Sequence, residues 1–97
     1  MDFEWDDQKY LENIEKHRVD FIGAILIFRA EVVTKVDTRH DYGETRYEAV
    51  GFVGENCFVV VYTRRDDRFR VISARHGGRR DRRAYHAHVA GRGDPEV

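Results

Sequence analysis

The sequence predicts an α+β domain: two N-terminal helices packed on a mainly antiparallel sheet of four to five strands, with a helix at the C-terminus. Two observations support this fold class. Apolar residues recur at helical spacing as far as Phe28, and from Val32 onward they alternate with polar ones, as in strands. Short turn-forming segments separate the strand-like segments, so sequential strands are expected to pair with their neighbours. The N-terminal helices would cover one face of the sheet and leave the other at least partly open to a ligand or partner.

The N-terminal segment predicts a strand and two helices. Phe3-Glu4-Trp5 alternates apolar and polar side chains and indicates a short opening strand. Asp6-Asp7 can cap a helix over residues 7–17. Asp20 is the next capping residue, and a second helix would continue from it to Phe28. That second segment is apolar on nearly all sides, so a buried strand is the competing prediction.

The remainder of the chain predicts four strands and a final helix. The strand-like segments span residues 32–36, 46–53, 57–63 and 68–74. Gly77-Gly78 ends the last strand, and residues 79–89 form the final helix. We expect one domain over residues 1–90 and a flexible tail over residues 91–97.

The Asp66-Asp67 turn predicts the register of the last hairpin. Thr63 would face Arg70, and Arg64 would face Phe69. Regular alternation then gives two sets of side chains, one on each face of the sheet. The first set is Thr63, Arg70, Val61 and Ile72, and the second is Arg64, Tyr62, Ser73 and Arg75. Arginines fixed on a strand are held rigidly enough to orient a phosphate.

The net charge of −1 conceals an uneven distribution. Residues 1–63 carry seven Lys/Arg against thirteen Asp/Glu, whereas residues 64–92 carry ten Arg against three Asp. Arginine binds phosphate well because its planar guanidinium can donate two hydrogen bonds to one anion. The C-terminal third is therefore expected to meet a polyanionic partner. The alternative is that the arginines pair with the acidic half of the chain, with Glu44 and Glu48 as candidate partners of the strand arginines.

The composition excludes several classes of protein. With 41% hydrophobic and 12% aromatic residues among 97, the chain is not wholly disordered. No apolar run approaches the ~20 residues of a membrane span, and the acidic N-terminus does not resemble a secretory signal. The single Cys57 cannot form an internal disulfide, which fits a cytoplasmic protein. His86 and His88 lack the i, i+4 spacing of two metal ligands on a helix, so no metal or other cofactor is expected.

Several segments, taken together, resemble the BrnT family of toxins. They are Phe3-Glu4-Trp5-Asp6, Asn13 with Lys16-His17, residues 21–28, Gly43-Glu44 with Arg46, residues 59–63, and residues 70–75 followed by Tyr85. Each segment alone is weakly specific, but their order and spacing from residue 3 to residue 86 are specific. The resemblance implies a fold related to the RelE ribonucleases. It also implies RNA cleavage that inhibits translation, with no metal cofactor.

The resemblance also implies which residues act on RNA. The candidate catalytic residues are His17, Glu44, Arg70, Arg75 and Tyr85. Arg70 and Arg75 would stabilise the charge that develops on the phosphate. Glu44 or His17 would transfer protons. Tyr85 would assist catalysis or stack on an RNA base. Alternatively, it would anchor the last helix. Lys16 and Arg46 are candidate RNA-binding residues by the same resemblance. The arginine-rich segment adds the candidates Arg64, Arg68, Arg79 and Arg80.

Two positions depart from the family pattern. Arg18 stands where a glycine usually follows Lys-His, which is expected to change the turn between the first two helices. Gly77-Gly78 is expected to loosen the junction before the last helix. Neither departure removes a candidate catalytic group.

Membership of this family would also imply partners. The partner protein would be a BrnA-like antitoxin with a ribbon-helix-helix portion, through which the complex would bind operator DNA. An acidic antitoxin segment over the arginines would mask the RNA site. The alternative function is a catalytically inactive binding protein that acts only as a co-repressor with its antitoxin. A third and less favoured hypothesis is a zinc or magnesium nuclease that uses His17, His40, His86 and His88.

Overall fold

The structure, a computed structural model, describes residues 1–93, which form one five-stranded sheet with helices packed on both faces. The elements are, in chain order, β1 (Asp2–Glu4), α1 (Asp7–His17), α2 (Phe21–Ala24), the 3₁₀ helix η1 (Ile25–Arg29), β2 (Val33–Asp37), β3 (Arg46–Val53), β4 (Asn56–Arg65), β5 (Arg68–His76) and α3 (Arg79–Gly93). The strand order is β1-β5-β4-β3-β2, in which β1 runs parallel to β5 and the other pairs are antiparallel. The predicted α+β class and the mainly antiparallel sheet are therefore confirmed.

The second predicted helix is divided into two segments. α2 ends at Ala24 and η1 follows it to Arg29, so neither a continuous α-helix nor the competing strand forms. The fully buried residues of this segment are Phe21, Ala24 and Ile27, spaced by three positions. Three residues make one turn of a 3₁₀ helix, so this spacing keeps the buried side chains on one face. Ile27 also lies against Gly51 of β3, where an added Cβ would come within 2.9 Å of the Ile27 Cβ.

The C-terminal helix is longer than predicted. α3 runs from Arg79 to Gly93, whereas the sequence predicted a helix over residues 79–89. The predicted flexible tail, residues 91–97, thus begins inside this helix, and residues 94–97 lie outside the described residues. Neither α3 nor any other helix of the described residues is both long and apolar enough to cross a membrane.

The larger hydrophobic core lies between the sheet and the N-terminal helices. Its buried members are Val19, Phe21, Ala24, Ile27, Ala49, Val60, Tyr62, Val71 and Ala74. Phe3 and Trp5 pack against this core from either side of Glu4 in the sequence. The alternation predicted for Phe3-Glu4-Trp5 is therefore confirmed, and it turns Glu4 to the opposite face of the sheet.

Asn13 joins α1 to the outer edge of β5. Its Nδ2 donates to the carbonyls of Ala74 (2.8 Å) and Val19 (2.9 Å), and its Oδ1 accepts from the Ala74 N–H (3.0 Å). β1 pairs with β5 only as far as Arg70, so the Asn13 amide takes the place of a neighbouring strand at Ala74. Only 5% of Asn13 is exposed, so these hydrogen bonds are shielded from water.

The turn after α1 contains a strained residue. Arg18, which stands where the family pattern has glycine, has φ 58° and ψ 32°, the left-handed conformation that glycine favours. Its N–H donates to the carbonyl of Ile14 (2.9 Å) and closes the helix. Left-handed backbone costs a non-glycine residue about 1–2 kcal/mol. The departure from the family pattern is therefore accommodated as backbone strain.

The β4–β5 hairpin has the predicted register near its turn and a β-bulge beyond it. Thr63 pairs with Arg70, and Arg64 pairs with Phe69, as predicted. Further from the turn the register shifts by one position, because Ile72 is an extra residue in β5.

The bulge changes which face the following residues occupy. Arg75 pairs with Val59, so Ser73 and Arg75 lie on the same face of the sheet as Arg70. The prediction that Ser73 and Arg75 share the other face with Arg64 is wrong, because one inserted residue inverts the alternation. Arg70 and Arg75 therefore project from one surface rather than from two.

A smaller hydrophobic cluster packs α3 against the second face of the sheet, next to the β3–β4 turn. Its members are Val50, Cys57 and Val59, with Phe52 and Tyr85 packed against them. The ring centroids of Tyr85 and Phe52 are 5.0 Å apart, and the Tyr85 hydroxyl donates to the carbonyl of Glu31 (3.1 Å). Within the described chain, α3 covers only this part of the face. We call the rest the open face, in which Glu48, Val61 and Thr63 are buried and the arginines are partly exposed. The side chains of the open face include Arg46, Thr63 and Arg70.

Gly77 is closely packed at the junction before α3, contrary to the loose junction expected there. Its N–H donates to the carbonyl of Cys57 (2.8 Å). A Cβ at Gly77 would overlap the Cys57 Sγ, whereas a Cβ at Gly23 in α2 would meet nothing within 4 Å. The junction therefore needs glycine at residue 77 for space.

We expect Gly77→Ala to lower the free energy of unfolding by about 1–3 kcal/mol, the usual cost of overpacking. The control is Gly23→Ala, which should raise it by about 0.5–1 kcal/mol because alanine favours helix. Urea unfolding followed by circular dichroism measures both variants. A Gly77→Ala protein as stable as the wild type would contradict the close packing at this junction.

Candidate active site

Five residues, one from each strand, are paired side by side across the sheet and form a row of polar side chains on the open face. This charged row consists of Glu4 (β1), Arg70 (β5), Thr63 (β4), Arg46 (β3) and Asp37 (β2). Neighbouring strands lie about 4.8 Å apart, so the Cα atoms of Arg46 and Arg70 are separated by about 10 Å across Thr63. Two guanidinium groups thus flank a threonine near the β4–β5 turn.

Glu4 contacts the arginines of β5 at one end of the charged row. Its Oε2 accepts a hydrogen bond from Arg70 Nη1 (3.0 Å), and its Oε1 accepts one from Arg68 Nη1 (3.4 Å). The hydrogen bond from Arg70, above all, holds the pKa of the Glu4 carboxyl below its ordinary value. Glu4 therefore stays ionised at neutral pH and fixes the position of Arg70.

Arg46, on the other side of Thr63, is held by the loop between β2 and β3. Its guanidinium lies over the Tyr42 ring, 3.9 Å from the centroid, and its Nε is 3.5 Å from Glu44 Oε2. Gly43 has a φ of +73°, so the chain turns tightly between Tyr42 and Glu44. That turn places both side chains beside the same arginine.

Asp37 secures the start of this loop at the end of the charged row. Its carboxylate accepts two hydrogen bonds from the Arg39 side chain (2.9 and 2.8 Å) and one from the Tyr42 hydroxyl (3.3 Å). The Asp37 side chain is only 2% exposed. The hydrogen bonds from Arg39 hold the pKa of this carboxyl well below its usual range.

We expect the protein to lose stability in acid, because hydrogen bonds from arginines lower the pKa values of Asp37, Glu4 and Asp81 in the folded state. A carboxyl with a lowered folded-state pKa stabilises the fold above its unfolded pKa, and this contribution is lost as pH falls towards the folded value. The ordinary values are 3.8 for aspartate and 4.5 for glutamate, so the loss should begin below about pH 5. Urea unfolding at pH 7 and pH 3 measures the decrease, and Asp37→Asn should show a smaller one. An equal decrease in both proteins would contradict the contribution of Asp37.

Arg75 lies on the open face but outside the charged row. It pairs with Val59, four residues from Thr63 along β4, a separation of roughly 13 Å. Its Nη1 donates to Asp81 Oδ2 (2.9 Å), and Asp81 accepts a further hydrogen bond from the Gly78 N–H (2.8 Å). Arg75 thus links β5 to the start of α3.

Arg70 and Arg75 are paired with carboxylates, but not with the expected ones. The expected partners were Glu44 and Glu48. Arg70 pairs instead with Glu4, because β1 inserts beside β5 in parallel. Arg75 pairs with Asp81, because the bulge turns it towards α3. Glu44 and Glu48 are therefore the wrong partners for these two arginines. The alternative of pairing with the acidic half of the chain holds for Arg70, through Glu4, but not for Arg75, because Asp81 lies in the arginine-rich segment.

The paired arginines keep the capacity to bind an anion. The side chains of Arg46, Arg70 and Arg75 are 23%, 29% and 42% exposed. A guanidinium carries five N–H donors, and Arg70 uses one of them in its hydrogen bond to Glu4. Carboxylate pairing therefore orients these groups and leaves donors available for a phosphate.

Several other candidate residues lie away from the charged row. Lys16 and His17 are at the end of α1, which packs on the sheet from the side of the larger core. Arg64 projects from the opposite face of β4, over an aromatic ring of β5. Arg79 and Arg80 lie in the first turn of α3 and are exposed. The structure thus separates these five residues from Arg46 and Arg70.

Of the two roles considered for Tyr85, its contacts favour the anchor. The ring packs in the cluster beneath α3, and the hydroxyl is engaged by the Glu31 carbonyl. The candidate residues that the structure does bring together are Glu44, Arg46, Arg68 and Arg70, with Arg75 on the same face.

Sequence reasoning did not identify the carboxylate and aromatic partners of the site. Alternation in Phe3-Glu4-Trp5 already indicated that Glu4 faces away from the core, but it gave no partner for the strand. Asp37 and Tyr42 lie at or in a polar loop without periodicity, so no pattern marked them. The fourth missed residue, Thr63, was predicted to face Arg70 but not to take part in the site.

The four histidines of the hypothetical metal nuclease lie on three separate segments of the chain. Among residues 1–93, no three His, Cys, Asp or Glu side chains converge as metal ligands. His17 lies on α1, His40 in the β2–β3 loop, and His86 and His88 on α3.

Comparison with known proteins gives two related findings. The family model for the ribonuclease toxin BrnT of type II toxin-antitoxin systems matches residues 5–81. The chain is also similar to the crystal structure of the Brucella abortus ribonuclease toxin, BrnT, with 28% identity and a TM-score of 0.62 over 81% of this chain and 99% of that chain. No curated protein matches by sequence. The residues that the family model matches include every member of the charged row except Glu4.

Proposed function

Because the chain belongs to the BrnT family of ribonuclease toxins of type II toxin-antitoxin systems, we propose that it cleaves RNA on its open face, at the charged row. The observation that carries this proposal is the placement of Arg46 and Arg70 on either side of Thr63. We further propose that the fold is of the RelE type and that residues 1–90 form its single domain.

The charged row suits a phosphate whose charge changes during reaction. Guanidinium groups stay charged at all physiological pH values and match the geometry of phosphate oxygens. Arg46 and Arg70 project from strands and are oriented by Glu44 and Glu4, so little reorganisation is needed when negative charge develops. The open face gives a single RNA strand access to them.

In this mechanism the ribose 2′-hydroxyl attacks the adjacent phosphorus, and the bond from phosphorus to the 5′-oxygen breaks. A base takes the proton of the 2′-hydroxyl, and an acid protonates the leaving 5′-oxygen. Arg46 and Arg70 stabilise the charged phosphorane. Glu44 is the base, which its position beside Arg46 supports over His17 at the end of α1. Arg75 binds another phosphate of the same RNA strand, about 13 Å along β5.

The remaining proposals concern the biological setting. A type II toxin acts with a protein antitoxin, and we propose that the antitoxin here is BrnA-like, with a ribbon-helix-helix portion that carries the complex to operator DNA. Free toxin would cleave RNA in the cytoplasm and inhibit translation. An acidic antitoxin segment over the open face would compete with RNA for the same arginines.

RNA cleavage by the purified protein tests the proposal. We expect cleavage of single-stranded RNA in EDTA, with 2′,3′-cyclic phosphate and 5′-hydroxyl products. A substrate with deoxyribose at the cleaved position should resist cleavage, because the nucleophile is missing. Cleavage that stops in EDTA and returns with a divalent cation would contradict the metal-independent mechanism. A folded protein that leaves RNA intact, with and without ribosomes, would contradict the nuclease function.

One observation favours the second candidate function, a co-repressor without activity. On the open face, Arg46, Arg70 and Arg75 are each already paired with a carboxylate, so the face is partly neutralised. This function predicts a folded protein that binds its antitoxin and supports operator binding, yet neither cleaves RNA nor arrests growth on expression. Growth arrest by the wild-type protein decides against it.

A further inference from the structure

We propose that Glu4 is a positioning residue that aims Arg70 at the scissile phosphate. The proposal rests on the ribonuclease function and concerns a residue outside the range that the family model matches. It is based on the way β1 presents one carboxylate to two arginines of β5.

Both neighbours of Glu4 anchor its backbone in the larger core. The ring centroid of Phe3 lies 5.5 Å from that of Phe28, and the centroid of Trp5 lies 5.8 Å from that of Phe21. Side chains alternate along a strand, so these anchors direct the Glu4 carboxylate to the open face. The position of the carboxylate is therefore set by the core and not by the solvent-exposed surface.

The Glu4 carboxylate accepts hydrogen bonds from two arginines that differ in exposure. Each oxygen of Glu4 accepts one hydrogen bond, at 3.0 Å from Arg70 and at 3.4 Å from Arg68. Arg70 is 29% exposed and Arg68 is 64% exposed. The shorter bond to the less exposed arginine restricts the rotamers of Arg70, whose long side chain would otherwise sample many.

The effect of Glu4 on cleavage passes through Arg70. Arg70 lowers the pKa of the Glu4 carboxyl, so Glu4 remains ionised and does not exchange protons with RNA near neutral pH. Two other roles would use the same contacts. Glu4 could be an ion pair that only holds β1 in place, or an anion that RNA must displace from Arg70. The three roles predict different kinetics.

Glu4→Gln separates these roles because it keeps the shape of the side chain and removes the charge. For positioning, we expect kcat for RNA cleavage to fall about 10- to 100-fold with KM nearly unchanged. Glu4→Asp, which keeps the charge on a shorter side chain, should fall between Glu4→Gln and wild type. The matched control is Asp2→Asn, because Asp2 lies on the same strand and face, is exposed, and should leave kcat unchanged.

A double variant distinguishes positioning from a structural role. If Glu4 acts through Arg70, Glu4→Gln causes no further loss of kcat in an Arg70→Ala background. An equal loss in both backgrounds would overturn the proposal, as would an unchanged kcat in the single variant. A raised kcat would overturn it in favour of a competing anion. Urea unfolding verifies that each variant is folded under assay conditions. A wild-type protein that does not cleave RNA would instead refute the ribonuclease function, so the two failures are distinguishable.

Discussion

Arg70→Ala is expected to reduce the rate of RNA cleavage by about 10²–10³-fold while leaving the protein folded. Removing one preorganised donor to a developing negative charge has an effect of this size in other enzymes. Arg70 is 29% exposed, and Arg68 remains as a partner of Glu4, so the change should have little effect on stability. Single-turnover cleavage of a defined RNA oligonucleotide measures the rate, and loss of growth arrest on expression should accompany it.

Arg64→Ala provides the control for Arg70→Ala. It removes the same charge from the adjacent strand, but Arg64 projects from the opposite face of the sheet. We expect an unchanged maximal rate, with at most a weaker, salt-dependent contribution to RNA binding. If Arg64→Ala reduced the rate as much as Arg70→Ala, cleavage would depend on the overall charge and not on the open face.

Asn13→Ala is expected to lower the free energy of unfolding by about 3 kcal/mol or more. The substitution removes three hydrogen bonds and leaves the N–H and carbonyl of Ala74 and the carbonyl of Val19 without this partner. Unsatisfied polar groups in a buried site each cost about 1–3 kcal/mol. Urea unfolding measures the change in stability.

Gln8→Ala is the control for Asn13→Ala on the same helix. Gln8 is exposed and its Nε2 donates to Glu12 (3.1 Å), so its replacement should change stability by about 0.5 kcal/mol at most. A similar small change for Asn13→Ala would show that the amide does not complete the edge of β5.

The fold class could be predicted because the spacing of apolar residues changes from helical to strand-like at Val32, and Gly77-Gly78 separates the strands from the final helix. The register of the last hairpin near Asp66 could be predicted for a local reason. Asp66 has φ 56°, so a tight turn connects the two strands directly and fixes the pairing of Thr63 with Arg70. Local sequence patterns were sufficient to predict both the fold class and the register of this hairpin.

The bulge in β5 was missed although the sequence carries a signal for it. Phe69 and Val71, two positions apart, face the larger core, and the next core residue, Ala74, follows after three positions. Val71 and Ile72 are adjacent apolar residues, which regular alternation does not produce. This change of spacing indicated an inserted residue, and with it the face of Arg75.

The partners of the site arginines could not be predicted, because they depend on distant pairings. Glu4 and Arg70 are 66 positions apart and meet only because β1 joins the sheet in parallel. No turn connects parallel strands, so no local signal sets their register. Asn13 shows the same limit, since it meets Ala74 across 61 positions. The types of residue at the site could be predicted, but not the way they are held.

The location of bound RNA tests the central claim most directly. Nuclear magnetic resonance of ¹⁵N-labelled protein, titrated with a non-cleavable RNA that lacks the 2′-hydroxyl at the scissile position, would map the binding surface. We expect the largest shifts at Arg46, Thr63 and Arg70, with smaller ones at Arg75. Shifts confined to α1 and the opposite face around Arg64, with the charged row unaffected, would contradict RNA binding on the open face.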